Sequence, residues 1–151
     1  MTSQGGINEP IYANTGAGTI FKYDVTTATY QKIYDFDPDS GDGFLPLGSL
    51  QCDPNNNTYL YGVTYFDPSL GYGTLFSATT SGSHTIIHNF DYNNGSNPIT
   101  LATKDNNSGL FYRAATTLLN AISPSGGLLY WFDDGAFNFT NVGTYSLKFW
   151  W

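Results

Sequence analysis

A pattern that returns at a fixed interval constrains a fold more than any isolated motif, because each copy must build the same supersecondary unit. The pattern here is G-x-G-T followed by a short apolar strand. "GAGTIFKYDVTT" starts at Gly16, and "GYGTLFSATTSG" starts 55 positions later, at Gly71. A second shared piece follows each: "KIYDFD" carries Ile33, and "IIHNFD" carries Ile87, 54 positions on. An acidic or Asn-rich turn comes next, then a proline that opens an apolar strand, "LPLGSL" at Pro46 and "NPITL" at Pro98. Upstream of the second copy lies "LYGVTYFD" from Leu60, and upstream of the first the similar "IYANTGAG" from Ile11. A third, more divergent copy follows. "GLFYRAATT" from Gly109 stands for "LYGVTY", "AISPSGG" for "ATTSGS", and "LLYWFDDG" for "IIHNFDYNNG". Aligned so, this copy lacks the G-x-G-T turn. The repeats span roughly 11–59, 60–109 and 110–151, behind an N-terminal arm of residues 1–10, within one domain of residues 1–151.

Each unit reads as short strands and turns. "TIFKYDV" alternates Phe21, Tyr23 and Val25 against Ile20, Lys22 and Asp24, the period of two that a strand requires. "VTTATY" and "TTSGSH" supply the hairpin turns between strands. Helix formers are scarce: Glu9 is the only glutamate, whereas aromatic residues make up 17% of the chain. The expected fold is all-β, a propeller-like β-repeat of about three blade-like units of short antiparallel strands. Closed propellers use roughly four to eight blades. Oligomerisation or a larger assembly is therefore expected to complete the fold, for example two chains making six blades.

The stretch "LYGVTY…GYGTLFSATTSGSHTIIHNFDYNNGSNPITL" resembles the GloVer-type (choice-of-anchor) tandem-repeat family of bacterial surface and secreted proteins. The resemblance covers most of residues 11–135 and is closer in the first two copies than in the third. It implies a propeller-like β-repeat module, usually outside the cell, with no assigned catalytic activity.

Charge excludes one large function class. The net charge is -7, and the five basic residues, Lys22, Lys32, Lys104, Arg113 and Lys148, are scattered. Nucleic-acid binding needs them clustered, so no nucleic-acid partner is expected. No apolar run approaches the roughly 20 residues of a membrane span, so no membrane insertion is expected. The start, "MTSQGGINEP", shows no signal peptide. A surface of neutral polar residues with only 11% charged residues fits an extracellular, cell-surface or virion location. Cys52 is the sole cysteine and forms no internal disulfide. No Ser-His-Asp, H-E-x-x-H, C-x-x-C or phosphate-loop pattern is present, so no enzyme activity is expected.

Four groups of residues remain as candidate sites. In "DFDPDSGDG", Asp35, Asp37 and Asp39 have the D-x-D-x-D spacing of a calcium loop. Such a loop needs Gly at its sixth position and Glu at its twelfth, where this chain has Ser40 and Pro46. Asp35 gives way to Asn89 and Trp131 in the other copies, while Asp37 recurs as Asp91 and Asp133. That recurrence favours a turn role, in which a carboxylate caps backbone N–H groups. The competing reading is a Ca2+ site formed by Asp37, Asp39 and Asp42; otherwise no cofactor is expected. His84 and His88 share a strand face and read as packing residues. Tyr61, Tyr65, Tyr72 and Trp131, next to Asn and Asp, are candidates for stacking on sugars. Trp150 and Trp151, ending "GTYSLKFWW", are candidates for docking in an assembly. The leading functional expectation is a non-enzymatic structural subunit whose partners are copies of itself or other structural proteins. The alternative is a carbohydrate-binding, lectin-like oligomer whose partners are glycans.

Overall fold

The computed structural model describes residues 1–7, 16–53, 56–91 and 96–99, together with the backbone of three later strands within 111–141. The protein is all-β, with antiparallel sheets. Its strands are β1 (Thr19–Asp24), β2 (Thr29–Asp35), β3 (Phe44–Asp53), β4 (Asn56–Phe66), β5 (Thr74–Thr79), β6 (His84–Asn89), β7 (Phe111–Ala115), β8 (Leu128–Asp133) and β9 (Ala136–Asn141). They form three sheets, ordered β1-β2, β3-β4-β5-β6 and β7-β8-β9. A single 3-10 turn, Pro38–Ser40, interrupts the strands among the described residues.

The repeat seen in the sequence is reproduced in the backbone of the first two sheets. Pairing in β1–β2 runs Ile20↔Tyr34, then Phe21↔Lys32; in β5–β6 it runs Leu75↔His88, then Phe76↔Ile86. Ile33 and Ile87 are thus the extra residues of the same bulge in two copies. Alternation holds along β1: Ile20 is fully buried, and Tyr23, on the opposite face with Phe21, is 54% exposed. The bulge changes β2 instead, where Tyr34 lies across from Ile20 and Tyr30 across from Tyr23, on opposite faces although they are four residues apart.

The contacts at which the first sheet meets β3 recur between the second sheet and residues 97–98. The Gly18 and Gly73 carbonyls accept the N–H of Phe36 (3.1 Å) and Phe90 (2.9 Å). Leu45 and Asn97 both adopt left-handed backbone, with φ of 54° and 48°. Their N–H groups donate to the carbonyls of Ala17 (3.0 Å) and Tyr72 (2.6 Å). The proline that follows each lies against the glycine: a Cβ on Gly18 would sit 2.5 Å from Pro46 Cδ, and one on Gly73 2.9 Å from Pro98 Cδ. With φ of 109° and 90° at these two positions, glycine meets both the conformational and the steric demand. The segment read as an N-terminal arm contributes to the first sheet. Thr2 bridges Thr19, and their hydroxyls lie 3.0 Å apart, as those of Thr64 and Thr74 lie 2.8 Å apart. The similar segment 11–15 lies outside the described residues.

The third copy needs a correction. β8 lies between β7 and β9, as β5 lies between β4 and β6. Leu128 pairs with Ala115 and Asn141, just as Thr74 pairs with Thr64 and Asn89. "SGGLLYWFD" therefore stands in the place of "GYGTLFSAT", and β9 in the place of β6. Trp131 is no counterpart of Asp35, and Asp133 is no counterpart of Asp37. Asp133 ends β8 and pairs with Ala136, leaving Asp134 and Gly135 to connect the strands, a dipeptide favoured between hairpin strands. Apolar–aromatic runs look alike on neighbouring strands, and only the order of strands in the sheet separates them.

The core lies where the first sheet meets the second. Ala17, Ile20, Phe36, Leu60, Phe76 and Ala78 form one buried cluster, flanked by Met1, Ile33, Tyr34, Phe44 and Leu50. The Phe36 and Phe76 rings meet edge to face, 5.2 Å apart. Strand alternation then assigns the faces of the second sheet. Leu60, Phe76 and Ala78 face the first sheet, whereas Val63 and Leu75, also buried, lie on the opposite face.

Candidate functional site

The acidic stretch 35–43 leads from β2 into β3 and folds against the second sheet. Asp35 ends β2 and pairs with Lys32 at 2.5 Å. Asp37 caps the 3-10 turn: its carboxylate accepts the Asp39 N–H (3.2 Å) and the Ser40 hydroxyl (2.7 Å). Asp39 is exposed. Asp42 is buried and joins the two sheets. Its Oδ2 accepts the Tyr34 hydroxyl at 2.5 Å and the Asp37 N–H at 3.1 Å, and its Oδ1 lies 3.2 Å from His84 Nδ1 on β6. The Tyr34 ring stacks on the His84 ring, 4.5 Å away and 13° from parallel. Phe36 and Phe76 close round the same imidazole at 5.4 Å and 5.1 Å.

The electrostatics follow from these contacts. Burial opposes ionisation of Asp42, but the hydrogen bonds from His84 and Tyr34 outweigh it and hold the carboxyl below its ordinary range. Burial, and then donation to Asp42, push the Tyr34 hydroxyl well above its usual value. His84 Nε2 is buried without a hydrogen-bond partner. An imidazole held by a carboxylate at Nδ1 is the arrangement of a general base. Here, however, the His84 side chain is only 4% exposed and enclosed by three aromatic rings. A reacting atom could reach Nε2 only by displacing them. The cluster is built as a polar bolt between sheets.

A second carboxylate organises the turn before β5. Asp67, 3% exposed, accepts five hydrogen bonds. Oδ1 takes the Ser69 N–H (2.9 Å), the Ser69 hydroxyl (2.9 Å) and the Leu70 N–H (2.7 Å). Oδ2 takes the N–H groups of Tyr72 (2.8 Å) and Gly73 (3.0 Å). Burial raises its pKa, and these bonds overcome that effect and lower it.

The calcium candidates Asp37, Asp39 and Asp42 do not converge. The first caps its own turn, the second faces solvent, and the third faces Tyr34 and His84. Among the described residues, no group of three or more His, Cys, Asp or Glu side chains is arranged to hold a metal ion. Of the aromatic candidates, Tyr65 and Tyr72 lie near one another in backbone, since Asn97 bonds both carbonyls. Tyr61 and Tyr65 are half-buried on β4, with the Tyr65 ring edge-on to Phe66 at 4.6 Å, and Tyr72 is half-buried in the G-x-G turn. Trp131 lies on β8 opposite Tyr112 and Asn138; its side chain, and all of Trp150 and Trp151, lie outside the described residues. No helix among the described residues is long and apolar enough to cross a membrane.

Sequence reading missed three features. Asp67 carries a local signal, since Asp-Pro-Ser after a strand is a common turn-capping pattern. The Asp42–His84 contact carries none, because it forms only when two sheets stack. The exposure of Tyr23 and Tyr30 carries none either, because it depends on which face another sheet covers. No protein-family model matches the chain, and no curated protein sequence matches it.

Proposed function

We propose that this chain is a non-enzymatic structural module: a propeller-like β-repeat subunit of a cell-surface, extracellular or virion structure. One observation carries the reading, the same set of parts built twice. Gly18 with Pro46 and the left-handed Leu45 join the first sheet to the second, and Gly73 with Pro98 and the left-handed Asn97 repeat the same parts at the second sheet, each set beside a ladder extended by the Phe36 or Phe90 amide. The reactive polar groups are engaged in structure: Asp42 and His84 link the two sheets, and Asp67 holds the turn before β5. The GloVer-type resemblance of residues 11–135 agrees with this role. A sugar-binding role is less favoured, because Tyr61, Tyr65 and Tyr72 are half-buried and offer little open ring face for stacking.

The test is localisation. Antibodies against the chain are applied to fractions of the producing cells and of any particles they release. The chain is expected in the surface or particle fraction, in many copies and without turnover of added substrates. Recovery solely from the free cytosolic fraction would sink the reading.

A further inference from the structure

We propose that the Phe21–Tyr23–Tyr30 face of the first sheet is a docking surface for the third sheet of a second copy of this chain, joined head to tail. This deepens the structural-module reading by naming the partner, and it rests on that reading. The repeat itself supplies the argument. Thr19 stands where Thr74 stands, so Phe21 occupies the position of Phe76, Tyr23 that of Ala78 and Tyr30 that of His84. In the second sheet those three positions are covered by the first sheet, through Ile20, Phe36 and Tyr34. In the first sheet the same face has no cover among the described residues: Tyr23 is 54% and Tyr30 59% exposed, and Phe21 is half-buried with its ring 5.3 Å from Tyr30. The face is aromatic and paired across strands, since Tyr23 and Tyr30 are directly opposite. Such patches mark interaction sites.

The repeat also specifies what fits there. The covering face at the observed junction carries Ile20 and Phe36. The third sheet carries Leu129 in the register position of Ile20, because Leu128 pairs with Asn141 as Thr19 pairs with Asp35 and Thr74 with Asn89, although β8–β9 lacks the bulge. Joining the third sheet of one chain to the first of another is a heterologous contact, which closes a ring if the rotation permits and otherwise propagates.

The experiment is sedimentation velocity on the full chain at physiological salt, where the net charge of -7 is screened beyond about 8 Å. Mass is expected to rise with concentration into the hundreds of micromolar. The double variant Tyr23→Asp/Tyr30→Asp is expected to self-associate at least about thirtyfold more weakly, the effect of losing a central aromatic anchor. Its unfolding midpoint should stay near that of wild type, since both side chains are exposed. Labelled variant mixed with excess wild type should still join, because it keeps its third sheet, and should shorten or open the assemblies. Three results overturn the proposal: a wild type that stays monomeric, a variant that associates like wild type, or a variant that cannot join wild type, which would mean face-to-face pairing. Glycan-array binding that disappears in the variant, with a monomeric wild type, would assign the face to sugars and also overturn it. A surface-located monomer would remove this partner and leave the module reading standing. A self-associating chain confined to the cytosol would do the reverse.

Discussion

Replacing Asp67 by asparagine tests whether a single carboxylate holds the turn into β5. The carboxylate accepts four backbone N–H groups and one hydroxyl through both oxygens. Asparagine keeps one acceptor oxygen and turns an NH2 group towards the donors on the other side. In the gentler orientation it meets the N–H groups of Tyr72 and Gly73, and two charge-assisted bonds are lost. Each such bond contributes about 1.5–3 kcal/mol, so the change should cost about 3–6 kcal/mol. A domain of this size has about 5–15 kcal/mol of stability, and its melting point moves about 2–4 °C per kcal/mol. Urea and thermal unfolding at neutral pH, followed by near-UV circular dichroism, would read the loss. Asp39→Asn, at an exposed position, is the control and should stay within about 0.5 kcal/mol of wild type. The pH dependence gives a second readout. The Asp67 pKa is lowered below its ordinary 3.8, so its contribution is complete above that value. It is lost as pH falls through the lower folded-state value. The gap between wild type and Asp67→Asn should be constant from neutral pH down to mildly acidic pH, then narrow in the acid region. A loss under about 1 kcal/mol, against the range expected for charged hydrogen bonds, would refute the assignment.

Four other outcomes follow from the same geometry. Gly73→Ala would place a Cβ 2.3 Å from the Thr64 carbonyl oxygen at a φ of 90°; it should cost about 3 kcal/mol or more, whereas Gly41→Ala, with open space around it, should cost about 1 kcal/mol in urea unfolding. Leu45→Asn should raise the unfolding midpoint, by about 0.5 kcal/mol in free energy, because Asn tolerates left-handed backbone and Asn97 already fills the equivalent place. Tyr34→Phe removes the hydroxyl that donates to Asp42 and should cost about 1–3 kcal/mol by the same assay, since the bond is to a charged group. Calcium titration should leave the melting point unchanged, since Asp37, Asp39 and Asp42 face different ways; a saturable rise would restore the calcium-loop reading.

Much of the fold was legible in the chain. The 55-residue spacing of Gly16 and Gly71 located the turns, and the glycines and prolines of that pattern proved to be the parts of the sheet junction. The reading of Asp37 as a turn cap agrees with its hydrogen bonds. Other features were not legible. "LLYWFDDG" and "IIHNFD" are equally apolar and aromatic, so similarity alone aligned strands that occupy different places in their sheets. The bulges at Ile33 and Ile87 leave no mark on residue type, yet they set which residues of β2 and β6 share a face.

The division has a physical cause. Period-two patterning, glycine at positive φ and proline at strand starts are preferences of the backbone and its near neighbours, so the sequence by itself determined an all-β chain of repeated strands and turns. Which sheet covers which face depends on contacts between residues far apart in the chain. His84 beside Asp42, Phe36 on Phe76 and the uncovered Tyr23 and Tyr30 arise only when one sheet stacks on another, and only the tertiary structure decided them.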